Sequence, residues 1–237
     1  MLSFKKHLSS DFPFLKPNAL TVIFTNWKRP KNIRHILDTI KKQTIQPTVF
    51  LWNNGAHFSH PAIDWIIDSS WNMVCLPRWW MASCARSDAI CIIDDDITFL
   101  DDRFLEDMLK ILERKPPSTI LGLFGVQLNA EREYQHCTHL HSHPTEAQKA
   151  DIIKGRFMMM RTEDLRAVQL RPSPSYDALM ADDIFVSGAL SHGKQSTHFI
   201  PAGFHERVQE LPHHDALQDK EDHWKNREIA RRRAFSF

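Results

Sequence analysis

Three consecutive carboxylates, Asp94-Asp95-Asp96, follow the apolar run Ala89 to Ile93. Carboxylates this close repel one another unless a cation is shared. Hard oxygen ligands supplied one or two at a time leave the remaining positions of a Mn2+ or Mg2+ ion to water and phosphate oxygens. The triplet therefore implies a divalent-metal site for a phosphate-bearing ligand rather than a polar turn closing a strand. A second acidic pair, Asp182-Asp183, opens a helical stretch, where the dipole favours anions; capping accounts for one of the two. The cluster His136, Cys137, His139, His141 and His143 has alternating spacing without a finger pattern, so it reads as a solvated or acceptor-contacting loop rather than a zinc site.

The elements that must position these groups alternate. Leu20 to Thr25 is a β-branched strand, and Ile33, Ile36, Leu37 and Ile40 follow at helical spacing. Thr48 to Trp52 repeats the strand signal and ends at the turn Asn53-Asn54-Gly55. Trp71 to Leu76 predicts a third strand, Arg78 to Arg86 a helix, and Ala89 to Ile93 a fourth strand. This order implies a parallel sheet, whose ligands bind beyond the carboxyl ends of the strands, where Thr25, Asn53 and Asp94 fall. Downstream, Asp101 or Asp102 caps a helix with the apolar stripe Phe104, Leu105, Met108, Leu109 and Leu112, stopped by Pro116-Pro117. Thr119 to Val126 predicts another strand, and Asn129 to Ala150 a long polar connection flanking the substrate. Phe157 to Met160 predicts a strand or buried edge, Tyr176 to Leu190 a loop entering a helix, and Asp215 to Arg233 a charged helical tail.

The 237 residues are 42% hydrophobic and 25% charged, which suits a folded enzyme-sized body and excludes a disordered majority. A formal net charge of +1 leaves no global nucleic-acid signature. Arg231-Arg232-Arg233, beside Arg227, reads as a solvated face or an anion contact. Cys75, Cys84, Cys91 and Cys137 lack paired ligand spacing and are expected as reduced thiols, the first three as small hydrophobes. No apolar run has signal-peptide or membrane-spanning length, so the expected location is cytoplasmic, with peripheral membrane contact allowed.

The succession LTVIFTNWKRP, FLWNNG, PRWW, IIDDDITF and ADDIFVSGAL resembles the nucleotide-sugar glycosyltransferases of the GT-A fold, with the exostosin-like branch as the nearest pattern. The resemblance runs from about Ala19 to His205, and its specific elements are the Asp triplet and the Asp-Asp-Ile segment. It implies an α/β, Rossmann-like, mostly parallel sheet flanked by helices in a single domain covering residues 1–237. The nucleotide-binding half would span about 19–100, the acceptor and catalytic half about 101–210, and a charged C-terminal helix or tail about 211–237.

The resemblance also implies site roles. Asp96 binds Mn2+ or Mg2+ bridging the donor diphosphate, Asp94 faces the ribose, and Asp95 supports the metal site or touches the sugar. Thr25, Arg29 and Asn53 meet the nucleotide, and Arg78 reaches the donor. Trp79 and Trp80 wall the sugar pocket or, as the stronger reading, belong to the core. Asp183, with Asp182 beside it, faces the anomeric carbon as a base or as a stabiliser of an oxocarbenium-like state. His223 serves the metal from the C-terminal region, with Arg227 one turn on and on the same face. The implied reaction moves a sugar, from a UDP-sugar above all, to a glycan or other hydroxyl acceptor, with stereochemistry open.

The rival reading is a haloacid-dehalogenase-type phosphohydrolase, since Asp94-Asp95-Asp96-Ile97-Thr98 also spells that family's DxDxT element with Asp94 as nucleophile. Three strand signals before Asp94 count against it, because that nucleophile normally ends the first strand. A non-catalytic sugar- or metal-binding module would leave Asp183 without a task.

Overall fold

The computed structural model describes residues 18–131, 133–134, 136–143, 145–167, 180–191, 198–212 and 222–235. Its strands are β1 (Leu20–Asn26), β2 (Thr48–Asn54), β3 (Trp65–Ser69), β4 (Ala89–Ile93), β5 (Ile97–Phe99), β6 (Leu121–Gly122) and β7 (Phe124–Gln127), followed by β8 (Thr138–His141), β9 (Gln148–Ala150), β10 (Ile152–Ile153), β11 (Phe157–Arg161), β12 (His198–Ile200) and β13 (Val208–Glu210). The helices are α1 (Pro30–Ile40), α2 (Pro77–Ser83), α3 (Phe104–Glu113), α4 (Thr162–Ala167), α5 (Asp182–Ser191) and α6 (His223–Phe235).

An eight-stranded sheet of order β3-β2-β1-β4-β11-β6-β12-β9 organises the molecule. The pairs among β3, β2, β1 and β4 are parallel, whereas β11 runs antiparallel between β4 and β6. Side chains alternate across the sheet. Leu20, Val22, Phe24, Cys91 and Ile93 face α1 and α3, while Ile23, Phe50, Ile90, Ile92 and Met158 face α2, α4 and α5. Both faces are thus covered, which is why β1, β2 and β4 read as almost continuous apolar runs. Helix α1 buries the four predicted positions, Ile33, Ile36, Leu37 and Ile40, and Pro30 starts it at the turn where a missing N–H costs nothing.

Several sequence expectations change. The third strand is Trp65–Ser69 rather than Trp71 to Leu76, where the chain turns into α2 with Val74 at φ +58°. Helix α2 closes at Ser83, three residues short of Arg86. The helix cap position falls on Arg103; Asp101 instead accepts the Arg103 backbone N–H and pairs with Arg207. The predicted strand Thr119 to Val126 splits into β6 of the large sheet and β7 of a three-stranded sheet, β10-β7-β8. Gly122 stands at the break, where a Cβ would lie 2.2 Å from Ile153 Cγ2. The polar connection after Asn129 carries β8 and β9, and β11 lies in the sheet interior rather than at an edge. Cys84 is exposed rather than packed as a small hydrophobe. Tyr176, His213, His214 and the start of the charged tail lie outside the described residues.

Candidate active site

The Asp triplet forms the turn between β4 and β5. The Asp94 backbone N–H donates to the Arg156 carbonyl at 3.0 Å, and the Asp96 carbonyl accepts from Leu211 N–H at 2.7 Å, so both ends of the turn are fixed. The three side chains then diverge. Asp94 keeps 34% of its side chain exposed and accepts from Arg78 Nη1 at 2.7 Å. Asp95 turns inward to Arg29 and the Trp27 backbone N–H, while Asn32 Nδ2 donates to its carbonyl. Asp96 lies 3.7 Å from Arg29 and 3.8 Å from Arg156, ion-pair contacts longer than hydrogen bonds.

Three arginines therefore hold three carboxylates. Burial raises the Asp94 carboxyl, opposed by Arg78 and helped by the neighbouring Asp96 charge. Burial pushes Asp95 up to about 6 even with Arg29 beside it. Crowded, partly desolvated acids of this kind gain when a further cation joins them.

Arg78 links this cluster to the second acidic pair. It is 2% exposed, donates through Nε to Asp182 Oδ2 at 2.9 Å, and its Nη1 also reaches the Gly155 carbonyl at 3.1 Å. The Trp79 indole N–H donates to the same Asp182 oxygen. Gly155 permits this approach, since a Cβ there would stand 2.4 Å from Arg78 Nη2. Asp183 Oδ2 accepts from the Gly155 N–H at 3.2 Å and from Arg227 Nη2 at 2.8 Å, and Oδ1 accepts from the Ile184 N–H at 2.9 Å. Burial alone would raise the Asp183 carboxyl; the Arg227 charge and hydrogen bond outweigh it and hold the group below the usual carboxylate range.

These contacts revise individual expectations. Asp182 accepts from Arg78 and from Trp79 on its Oδ2, which anchors the carboxylate against α2. Asn53 is fully buried: its carbonyl accepts from Asn26, and its amide donates to the Phe58 carbonyl and Asp68. Direct nucleotide contact by Asn53 is thereby replaced by positioning of Asp68, whose carboxylate also meets His57. Arg78 likewise does not extend toward a donor, because its guanidinium is committed to protein acceptors. Arg29 reaches the triplet from the α1 cap position, and Thr25 stands half-buried one residue before the end of β1. Trp79 is core, whereas Trp80 is 40% exposed against the buried Trp52.

His223 sits at the start of α6 with its ring against Trp224. Its helical neighbour Arg227 is buried and carries the link to Asp183 and to the Tyr134 hydroxyl. Arg227 is thus no part of a solvated face. Arg156 and Tyr134 carry no sequence signal for the site; the spacing places Arg227 beside His223 on one face, but nothing local pairs it with an acid far upstream.

Among the described residues no group of three His, Cys, Asp or Glu side chains converges as a complete metal cage. The donor set nevertheless fits a hard divalent cation completed by substrate phosphate, with Asp96 and the outward Asp94 as its protein oxygens. The phosphohydrolase reading loses ground: Asp94 ends the fourth strand rather than the first, and Arg78 holds its carboxylate.

A mostly parallel α/β sheet, with an antiparallel strand beside the acid-bearing strand, defines the GT-A-like glycosyltransferase class of fold. No family model matches the sequence, and no curated protein matches it. Among solved structures, the chain is similar to the mannosyltransferase PcManGT from Pyrobaculum calidifontis in complex with GDP-Man and Mn2+, with a TM-score of 0.53 and 14% identity over 79% of this chain. The chain spans 57% of the length of that structure. At this identity the likeness is one of fold. No helix among the described residues is long and apolar enough to cross a membrane.

Proposed function

We propose that the protein is a metal-dependent glycosyltransferase moving a sugar from a nucleoside-diphosphate sugar to a hydroxyl acceptor. The observation that carries this reading is Arg78, which ties Asp94 of the triplet to Asp182 beside Asp183, so that two acidic motifs distant in sequence share one sheet edge. The donor diphosphate is assigned to Asp94 and Asp96, with Arg29 and Arg156 as neighbouring cations that neutralise its charge. A divalent cation held there supplies Lewis-acid stabilisation of the departing nucleoside diphosphate. Asp183, ionised and already accepting three hydrogen bonds, suits electrostatic stabilisation of positive charge at the anomeric carbon better than proton abstraction. That leans toward retention, in keeping with the exostosin-like pattern.

The sequence pattern favours a UDP-sugar, whereas the similar solved enzyme holds GDP-Man. Calorimetric titration with UDP and with GDP, each with and without Mn2+, separates them. We expect Mn2+-dependent binding of UDP. Asp96→Ala should abolish it, whereas Asp183→Ala should spare binding and lose transfer. Binding indifferent to Mn2+, or lost equally in both variants, overturns the reading.

A further inference from the structure

Next to the proposed donor site lie a lysine and two imidazoles to which the transfer reaction gives no role. Lys154 leaves β10 half-buried, and among the described residues its ammonium makes no hydrogen bond and no ion pair within 4 Å. A lysine in that position loses hydration without gaining a partner. Its surroundings are largely cationic: burial lowers its pKa, then Arg227, and Arg156 lowers it further, against Asp183 and Cys137.

Strand β8 and the turn at His205–Arg207 add imidazoles. The rings of His141 and His205 lie 5.4 and 5.8 Å from Phe124 and 6.2 Å from each other, and the Arg156 guanidinium stacks 4.7 Å from the same Phe124 ring. His139, two residues before His141 and therefore on the same face of β8, contacts Cys137 at 3.9 Å. The Lys154 backbone N–H donates to the Phe124 carbonyl at 2.8 Å, and Phe124 pairs with His141 across β7 and β8, so Lys154 and His141 stand on either side of Phe124 in the three-stranded sheet; burial and then Lys154 lower the pKa of both His139 and His141. The local acids are engaged elsewhere: Asp183 with Arg227, and Glu210 with Arg156 at 2.8 Å.

We propose that Lys154, with His139 and His141, forms a binding subsite for a phosphate group carried by the acceptor. The assignment to the acceptor rests on the glycosyltransferase reading, in which the donor phosphates belong to Asp94, Asp96 and Arg156. Lys154 is acted on by Arg227, Asp183 and Cys137 ahead of Arg156. A half-buried ammonium, with two exposed imidazoles on β8 beyond Phe124, offers several donors to one tetrahedral anion. The phosphate can be borne on a lipid tail or on a soluble sugar, and the subsite chemistry is common to both.

The test is titration of the full chain, without metal or nucleotide, with inorganic phosphate, a short-chain alkyl phosphate and a hexose phosphate. We expect saturable binding of at least one, weakened at least tenfold in Lys154→Met, largely restored in Lys154→Arg and unchanged in Asp96→Ala. Tighter binding of the alkyl phosphate assigns a lipid-borne acceptor, and tighter binding of the hexose phosphate a soluble one. Absence of metal-free binding, or binding indifferent to Lys154→Met, overturns the proposal. In parallel, Mn2+-dependent UDP binding should survive Lys154→Met. Its loss in that variant alone would move Lys154 to the donor and overturn the acceptor assignment, whereas its absence in the unaltered chain would defeat the glycosyltransferase reading instead.

Discussion

The β1 to β4 half and the half built from β6, β11, β12, α5 and α6 hold their polar groups in place by different physics. In the first, apolar side chains alternate onto two helix-covered faces, and polarity is concentrated at the strand ends around Asn26, Asn53 and Asp94. In the second, the acids are fixed by buried arginines that arrive from outside the element carrying them: Arg78 from α2 and Arg227 from α6. A hydrophobic sheet can orient a strand end, but it cannot hold a buried carboxylate ionised. That requires a paired cation and further hydrogen bonds.

The sharpest way to break this contrast is to remove Arg78. Arg78→Ala leaves the buried Asp182 charge uncompensated and takes a partner from Asp94, so we expect a loss of about 3–5 kcal/mol in denaturant unfolding. Arg78→Met combined with Asp182→Leu should recover most of that stability, because an apolar pair of similar volume replaces the ion pair. A single Arg78→Ala cost below about 1 kcal/mol would show that the second half is held by its apolar contacts after all.

The same contrast explains what was legible in the sequence. β1, α1, β2 and β4 followed from apolar runs and helical spacing, because both faces of that sheet are covered and its pattern is therefore local. The third strand is not legible because Trp65-Ile66-Ile67 is short, bounded by Asp64 and Asp68, and lies at the sheet edge. Meanwhile residues 71–76 form no strand and turn into α2, with Trp71 exposed and the others only partly buried. The split of 119–126 is not legible in the sequence because one apolar run serves two sheets. At the site, the acids were legible from their crowding and the flanking elements, whereas their counterions were not. Arg227 looks like one charge among many in a basic helix, yet the packing face of α6 is Arg227, Ala230 and Ala234, small and polar residues that give little apolar signal.

His198 sharpens the comparison through pH. It is fully buried in β12, where its Nδ1 accepts from the Ile120 N–H and its Nε2 N–H donates to the Ser187 carbonyl of α5. Burial lowers its pKa from 6.5 to about 4. The unfolded chain therefore binds more protons than the folded one between these values, and the stabilisation present above pH 6.5 is lost as the pH falls toward 4. At about 1.4 kcal/mol per pH unit this amounts to about 3 kcal/mol. Unfolding free energies measured between pH 4 and 7 should show this slope, and His198→Gln should flatten it by that amount while costing stability at pH 7. An unchanged slope would remove His198 as a link between the sheet and the helix that carries Asp183.

The smallest effect is expected where α5 and α6 meet. A Cβ on Gly188 would stand 2.7 Å from the Ala234 carbonyl oxygen and 2.9 Å from its Cβ, closer than real Cβ contacts come, so one helix must shift against the other. Gly188→Ala gains about 1 kcal/mol of helix propensity but pays an overpacking penalty of about 1–3 kcal/mol. We expect a net loss of about 1 kcal/mol in thermal or denaturant unfolding. The informative readout is functional, since displacement of α6 draws Arg227 away from Asp183 without altering either residue. Sugar transfer should then fall more than Mn2+-dependent nucleotide binding. A variant that loses both in proportion would mean that α6 braces the whole cleft, and the division between a sheet-held donor half and an ion-pair-held catalytic half would not stand.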